Sequence, residues 1–208
     1  MGNLFTIGHT QHKIDYFVSL LKQYNINYVL DVRSTPYSKY AEQFNRENIK
    51  KSLIENNIIY SFTGNHFGAR QDDMSLYSKE GFLDFEMVRN TPNFKVGFEN
   101  VILGLQKNNN IALMCTEKDP FECHRAIMVS RAFDLAGVDI NHILSDGSVQ
   151  NQEVLNQRLL DKYFPDRNQL TLFNYMQNCE NDNYLDEAYR KRNAEIGYHA
   201  ENNEQMII

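Results

Sequence analysis

The side chains best suited to chemistry in this sequence fall within one short stretch and are Cys115, Glu117, Cys123, His124 and Arg125. An apolar run at residues 111–114 opens this stretch and predicts a buried strand, and residues 123–136 have the apolar spacing of a helix. In an open α/β sheet, the loop from a strand to the next helix lies at the carboxyl edge of the sheet, where ligands bind. Because the first N–H groups of a helix carry positive partial charge, they favour an anion and lower the pKa of a nearby thiol. The spacing therefore predicts a reactive loop between these two elements.

Two earlier predicted strands end on polar side chains of the same kind. His9 follows a short apolar run at residues 4–7, and Asp31 and Arg33 close the next predicted strand. Since parallel strands end at one edge of a sheet, we expect these side chains to share a pocket with the reactive loop. Two further candidates come from the polar loop that follows and are Tyr37 and Ser38.

An enzyme that binds an anion is the first functional interpretation. Arg33 and Arg125 would bind a phosphate or carboxylate through paired N–H donors, and a nucleotide or nucleic-acid end has the charge that such a site favours. A thiolate from Cys115 or Cys123 would be the nucleophile. The predicted catalytic residues, among which the carboxylates and the histidine position or transfer protons, are Cys115, Glu117, Cys123, Asp31 and His9. The predicted substrate-binding residues are Arg33, Arg125, His124, Ser38 and Tyr37.

A structural role is the alternative for several of these residues. Asp31 and Arg33 would pair with the loop at residues 115–125 and hold it, as charged residues buried at sheet edges often do. Cys115 continues an apolar strand, and free cysteine is commonly a small buried hydrophobe. Cys123 is the better thiolate candidate because a helix N-terminus and an arginine lie next to it. The chain lacks the Cys-x5-Arg loop of cysteine phosphatases and rhodaneses, since Phe121 stands at the arginine position, and this argues against either activity.

A metal site is the second functional interpretation. Its ligands would be Cys115, Cys123 and His124, completed by His9 or Glu117. The spacing Cys-x7-Cys-His departs from the paired Cys-x2-4-Cys knuckles of structural zinc sites, so the sequence assigns no metal ligand and no cofactor. The remaining histidines, interpreted as surface or loop residues, are His12, His66, His142 and His199.

A non-catalytic module that binds nucleotides or nucleic acid is the third interpretation. Aromatic and basic side chains alternate along residues 37–46, a pattern that suits base stacking and phosphate contacts. Alternatively, Tyr37 and Tyr40 cover the pocket or pack there. The formal net charge of −6 and the lack of a continuous Lys/Arg run rank this interpretation below the enzyme.

The composition is that of an ordinary globular protein. Of 208 residues, 42% are hydrophobic and 23% are charged. The longest apolar runs fall far short of the roughly 18 residues that span a bilayer, so no membrane partner is expected. The lack of signal-peptide features and an odd set of three cysteines indicate the cytoplasm. Composition leaves the substrate and the oligomeric state open.

Strands and helices alternate along the chain, which predicts an α/β fold. Helices of about 10–15 residues between strands favour a mainly parallel sheet of about five strands in a three-layer sandwich. Residues 63–89 break this pattern and are interpreted as an excursion across the sheet edge. The composition predicts an α/β domain at residues 1–150 and a polar, partly helical extension at 151–208. The features expected of that extension are a helical patch at 154–163, an apolar segment at 170–173 and a solvated helix or loose tail from about residue 178.

Three motifs in this order resemble a known family. They are Thr6-Ile-Gly-His9-Thr, Asp31-Val-Arg33 with Pro36 and Ser38, and Met114-Cys-Thr-Glu117-Lys-Asp-Pro120-Phe-Glu-Cys123-His-Arg125, extended by His142-Ile and Gly147. Together they look like the signature of the domain-of-unknown-function-488 family over about residues 4–147. The resemblance implies a compact bacterial or archaeal α/β domain and names no reaction. The chain departs from the family where His66-Phe-Gly68-Ala-Arg70 replaces an expected Leu-Gly-Gly type turn.

Overall fold

A six-stranded sheet lies at the centre of the protein, in a computed structural model that describes residues 1–167 and 181–200. Its strands are β1 (Leu4–Gly8), β2 (Tyr28–Asp31), β3 (Ile59–Phe62), β4 (Ile111–Cys115), β5 (Ile140–Ile143) and β6 (Val149–Asn151). They lie in the order β3-β2-β4-β1-β5-β6. The first five strands are parallel, and β6 runs antiparallel to β5 at one edge. The five predicted strands and the mainly parallel sheet are confirmed.

Helices cover both faces of the sheet. They are α1 (Ile14–Gln23), α2 (Arg46–Glu55), α3 (Gly64–Phe67), α4 (Phe85–Asn90), α5 (Pro92–Gln106), α6 (Arg131–Leu135), α7 (Gln152–Tyr163) and α8 (Asn181–Ile196). Short 3₁₀ turns occur at Glu42–Phe44, Met74–Leu76 and Pro120–Glu122, and a π-helical turn at Arg125–Ser130 leads into α6. None of the helices in the described part of the chain is long and apolar enough to cross a membrane.

The alternation of side chains along β4 explains the three layers. Ala112 and Met114 pack with α1 and α2 on one face, whereas Ile111, Leu113 and Cys115 belong to the core on the other face. Because successive residues of a strand point to opposite sides, a continuous apolar run supplies both cores at once. The predicted three-layer α/β sandwich is therefore confirmed.

The helices beyond residue 150 pack on the sheet domain. Leu155 and Leu159 of α7 and Tyr189 of α8 are buried in the same core as β4 and α5. The expectation of a solvated helix or loose tail from residue 178 is wrong for α8, which packs against the core. Asn193 of α8 is buried, and backbone groups satisfy the hydrogen-bonding capacity of its side-chain amide. The Nδ2 of Asn193 donates to Leu83 O at 2.8 Å, and the Oδ1 of Asn193 accepts from Phe85 N at 2.8 Å. The division at residue 150 stays a prediction, and the segment at 170–173 lies outside the described residues.

Candidate functional site

The loop after β4 folds back so that Cys123 returns beside Cys115. Asp119 begins the turn, because its Oδ1 accepts a hydrogen bond from Phe121 N at 2.9 Å. Arg158 of α7 holds the same carboxylate with contacts of 3.0 and 2.6 Å. The loop therefore takes its shape from a capped turn that a helix anchors from outside.

Arg125 holds the loop from below. Its side chain is fully buried, and its guanidinium donates to the carbonyl oxygens of Glu117 at 2.7 Å and Lys118 at 3.3 Å. Its Nε also lies 3.4 Å from Thr6 Oγ1. Gly8 makes this close approach feasible, since a Cβ there would stand 1.9 Å from Glu117 O. The predicted role of Arg125 in substrate binding stays a prediction, and its partners here are all groups of the protein.

Four potential ligand groups converge where the loop meets the end of β4. They belong to Cys115, Glu117, Cys123 and His124, and one donor atom of each lies within 4.8 Å of all the others. His124 Nδ1 is 3.7 Å from Cys115 Sγ and 4.0 Å from Cys123 Sγ. Cys123 Sγ lies 2.8 Å from Glu117 Oε2. Two sulfurs, one nitrogen and one oxygen thus face a common centre.

The orientation of His124 is fixed from its other side. Its Nε2 lies 3.1 Å from the backbone carbonyl oxygen of Val32, which only accepts hydrogen bonds. Nε2 therefore carries a proton, and Nδ1 faces the two sulfurs. Burial opposes a charge on the ring, but the hydrogen bond with Cys123 and the charge of its thiolate outweigh burial and raise the pKa of His124. Nδ1 presents its lone pair to the sulfurs when the ring is neutral. Metal-binding histidines are commonly held in this way by a carbonyl behind the ring.

The two thiols differ in their electrostatics although both are buried. Burial raises the pKa of Cys115, and the neighbouring sulfur adds to this effect. Burial also opposes ionisation of Cys123, but the hydrogen bond from Cys115 and the positive charges of Arg125 and His124 outweigh it and lower the pKa of Cys123. Burial together with the charge of Cys123 raises the pKa of Glu117. The surroundings of Cys123 thus favour a thiolate more than those of Cys115 do.

A second buried group lies beside the cluster, at the end of β2. Arg33 binds Asp31 through Nε at 2.8 Å and Nη2 at 2.6 Å, and its Nη1 lies 2.9 Å from His9 Nε2. Tyr60 donates its hydroxyl to the same carboxylate at 2.8 Å. Burial and the charge of Arg33 lower the pKa of His9 to about 4, so its ring is neutral at neutral pH. Asp31, Arg33 and His9 thus form one hydrogen-bonded unit, as expected for side chains at one sheet edge.

An open cleft of about 260 Å³ leads from solvent to this edge. Among the residues that line it are Arg33, Arg70, Cys115, Glu117, His124 and Tyr198. Arg70 is exposed, and its guanidinium lies over the Tyr198 ring at 4.7 Å. Arg70 comes from the irregular segment at 63–89, and Tyr198 follows the end of α8. No local sequence pattern identified either residue as part of a site. Thr116 was likewise not singled out, although its Oγ1 is 3.3 Å from His9 Nε2.

Two predicted substrate-binding residues lie apart from this cleft. Tyr37 is 70% exposed, and neither it nor Ser38 is among the described residues that line the cleft. Ser38 instead shapes its own loop, where its N–H donates to Asn45 Oδ1 and its Oγ accepts from Tyr40 N. Their role in binding stays a prediction. The interpretation of His142 as a surface or loop residue is wrong, because it lies in β5 between Thr6 and Gln152 and is fully buried.

Comparison with known proteins adds one finding. A family model described as "Domain of unknown function DUF488" matches residues 13–132, which is more than half of the chain. The match includes the second and third sequence motifs and all four residues of the cluster. No curated protein and no solved structure matches the chain significantly.

Proposed function

The chain belongs to the family described as domain of unknown function DUF488, and from the geometry of its site we propose that it is a metal-dependent hydrolytic enzyme acting on a small anionic substrate. Cys115, Cys123 and His124 bind a zinc-type divalent cation. Glu117 lies at the open side of this set and serves as the general base.

The convergence of the four donor groups carries the proposal. Zinc binds sulfur at about 2.3 Å and nitrogen at about 2.0–2.1 Å, so the ligand atoms around one tetrahedral ion lie roughly 3.3–3.8 Å apart. The two sulfur–nitrogen distances of 3.7 and 4.0 Å come close to this spacing. The spacing between the ligands along the chain is unusual for zinc, but the fold brings them together in space.

The surroundings of the cluster favour a catalytic ion over a structural one. Structural zinc sites are closed, whereas catalytic sites have three protein ligands and an open fourth position for water. Here Glu117 and His124 line the cleft, so water and substrate have access to the ion. A zinc ion held by Cys115, Cys123 and His124 would supply an activated water, and Glu117 would be the nearby group able to accept a proton from it.

The cleft also carries the charge for an anionic substrate. Arg70 presents its guanidinium at the mouth of the cleft, whereas Arg33 on the inner wall is paired with Asp31. A phosphate ester or a nucleotide-like molecule fits this chemistry, because a guanidinium binds phosphate oxygens through paired donors and the ion polarises the phosphorus–oxygen bond. The half-buried ring of Tyr198 also lines the cleft, where the Arg70 guanidinium lies over it.

Metal analysis of the purified protein by plasma mass spectrometry is the first test. We expect about one zinc-type ion per chain, lost in both Cys115→Ser and Cys123→Ser. Glu117→Gln is expected to retain the ion and to lose turnover of phosphate mono- and diesters, while Glu122→Gln, at the exposed rim, retains both. A protein that binds no divalent ion at micromolar concentrations would overturn the metal site. Equal turnover by Glu117→Gln and the unchanged protein would overturn the role of Glu117.

A further inference from the structure

A second polar cavity of about 150 Å³ lies between α4, the π-helical turn with α6, and α8. It shares no lining residue with the cleft at the sheet edge. Three arginines line it, and each comes from a different element: Arg89 from α4, Arg131 from α6 and Arg190 from α8. These three guanidinium groups meet in one cavity although the chain as a whole has a net charge of −6.

Two of these arginines are neutralised by carboxylates of the protein. Arg131 binds Asp134 at 2.6 Å and Asp186 at 2.8 Å, and its guanidinium lies over the Tyr189 ring at 4.5 Å. Arg190 binds Glu86 at 3.1 Å on the exposed rim. Both guanidinium groups are thus held in place by partners that lie next to the cavity.

Arg89 differs from both. No hydrogen bond or ion pair joins its side chain to any other residue within the described ranges 1–167 and 181–200. Burial lowers the pKa of Arg89, and the neighbouring charge of Arg131 lowers it further. The carboxylate of Glu86 acts on it from a distance but is bound by Arg190. The Arg89 guanidinium is partly buried and has no acceptor of its own in the described protein, so its N–H groups can donate to an anion that enters the cavity.

The charges around the cavity indicate what it binds. The three guanidinium groups face the three carboxylates of Glu86, Asp134 and Asp186. Arg131 or Arg190 binds each of these carboxylates, so Arg89 has no ion-pair partner among them. Apolar walls from Phe85 and Ile127 reduce the local dielectric and strengthen attraction to a single negative group. A volume of about 150 Å³ is large enough for one small oxyanion.

From these contacts we infer that the cavity is a binding site for a small oxyanion, a phosphate or carboxylate group, which Arg89 binds with its unpaired guanidinium and Arg131 supports from the side. The anion is either free in solution or the terminal group of a larger molecule that reaches the exposed rim. This site is independent of the metal cluster.

Isothermal titration of the full chain with phosphate, sulfate and acetate tests the inference, with sodium chloride at matched ionic strength as the reference. We expect saturable binding of at least one oxyanion, and the comparison of phosphate with acetate assigns the group. Arg89→Met should weaken that binding by at least 10-fold. Arg89→Lys, which retains the charge without the paired donors, should also weaken it. Arg46→Met, a matched change of an arginine that lies over the Phe62 ring elsewhere, should leave it unchanged.

Two controls keep the result separate from the cluster and from folding. Cys123→Ser should bind the anion as the unchanged protein does, since the metal site lies outside this cavity. Arg89→Met should melt at the same or a higher temperature without anion, because it removes an unpaired desolvated charge. Equal anion binding by Arg89→Met and the unchanged protein would overturn the inference, as would a response that sodium chloride reproduces.

Discussion

Nε2 of His124 lies 3.1 Å from the carbonyl oxygen of Val32, and this contact joins the loop after β4 to the end of β2. It fixes which nitrogen of the ring carries the proton and therefore which nitrogen faces the thiols. A ligand with a fixed orientation lowers the entropic cost of binding an ion.

The first prediction follows from this orientation. His124→Gln removes Nδ1 as a ligand atom, so we expect the affinity for zinc to fall by at least about 100-fold. Replacing a residue that only supports a ligand typically costs about 10- to 100-fold, and the loss of the ligand itself should cost no less. Competition with a chromophoric chelator measures the affinity. His66→Gln is the matched control, because His66 binds Asn93 away from the cluster. Similar affinities for both variants would exclude His124 as a ligand.

The second prediction concerns the buried ion pair of Asp31 and Arg33, whose side chains are 0% and 6% exposed. Asp31→Asn leaves a buried guanidinium without its carboxylate, which typically costs about 3–5 kcal/mol. Urea denaturation should report a loss of this size. Glu187→Gln breaks the exposed pair with Lys191 and should cost less than about 1 kcal/mol. Equal small losses in the two variants would contradict the structural role of the pair.

The third prediction concerns Arg125. Arg125→Met removes the donors that hold the carbonyl oxygens of Glu117 and Lys118, so we expect it to lower the free energy of unfolding by roughly 2–5 kcal/mol and to weaken zinc binding. Chemical denaturation and the chelator competition measure the two effects. A variant that retains full stability and loses only anion binding would instead support the substrate-binding role that the sequence suggested.

The fourth prediction is a loss of stability in acid. Burial lowers the pKa of His142 to about 3, with Arg125 adding to the effect. In the unfolded chain its pKa returns to about 6.5, so the unfolded state takes up a proton first. The stability is complete above pH 6.5 and falls by about 1.4 kcal/mol per pH unit between pH 6.5 and 3. His9, with its pKa of about 4, acts in the same direction down to that pH.

Unfolding free energies measured from pH 7 to pH 4 check this slope. His142→Gln should reduce the slope of the unfolding free energy against pH by about 1.4 kcal/mol per pH unit, the contribution of one proton, whereas His66→Gln should leave the slope unchanged. An unchanged slope in His142→Gln would show that His142 does not titrate as its burial implies.

The sheet was predictable because its signal is local. The segment Ile111–Cys115 is apolar throughout and Leu4–Gly8 is interrupted only by Thr6, as expected of parallel strands that are covered on both faces. β6 (Val149–Asn151) was missed, since three mostly exposed residues with one apolar side chain carry no such signal. The burial of α8 was also missed, because Asn193 and Arg192 are buried through partners that lie far away in the sequence.

Most of the side chains that meet at the sheet edge could be predicted from the sequence, but Tyr37 and Ser38 lie apart from the cleft and the geometry of the cluster could not be predicted. Strand ends identified His9, Asp31, Cys115 and the residues of the reactive loop as neighbours. The spacing of Cys115 and Cys123 alone gave no reason to expect that a returning loop would place their sulfurs around one centre with His124. No sequence pattern predicted that Arg70 would line the cleft or that Arg89 would line the second cavity, because both positions depend on residues that the fold brings together from distant parts of the chain.

The order of strands has a consequence for synthesis of the chain. β1 and β2 are made first but do not touch, because β4 lies between them and pairs Leu4 with Ile111 and Tyr28 with the same residue. Until residue 115 has left the ribosome, β1 has no strand partner, and β4, the strand that lies between β1 and the β2–β3 pair, is missing. Such long-range pairing slows folding and leaves strand edges exposed in the meantime. The segment that joins the sheet also begins the cysteine loop, so the growing chain gains the four candidate ligand groups only as its sheet becomes continuous.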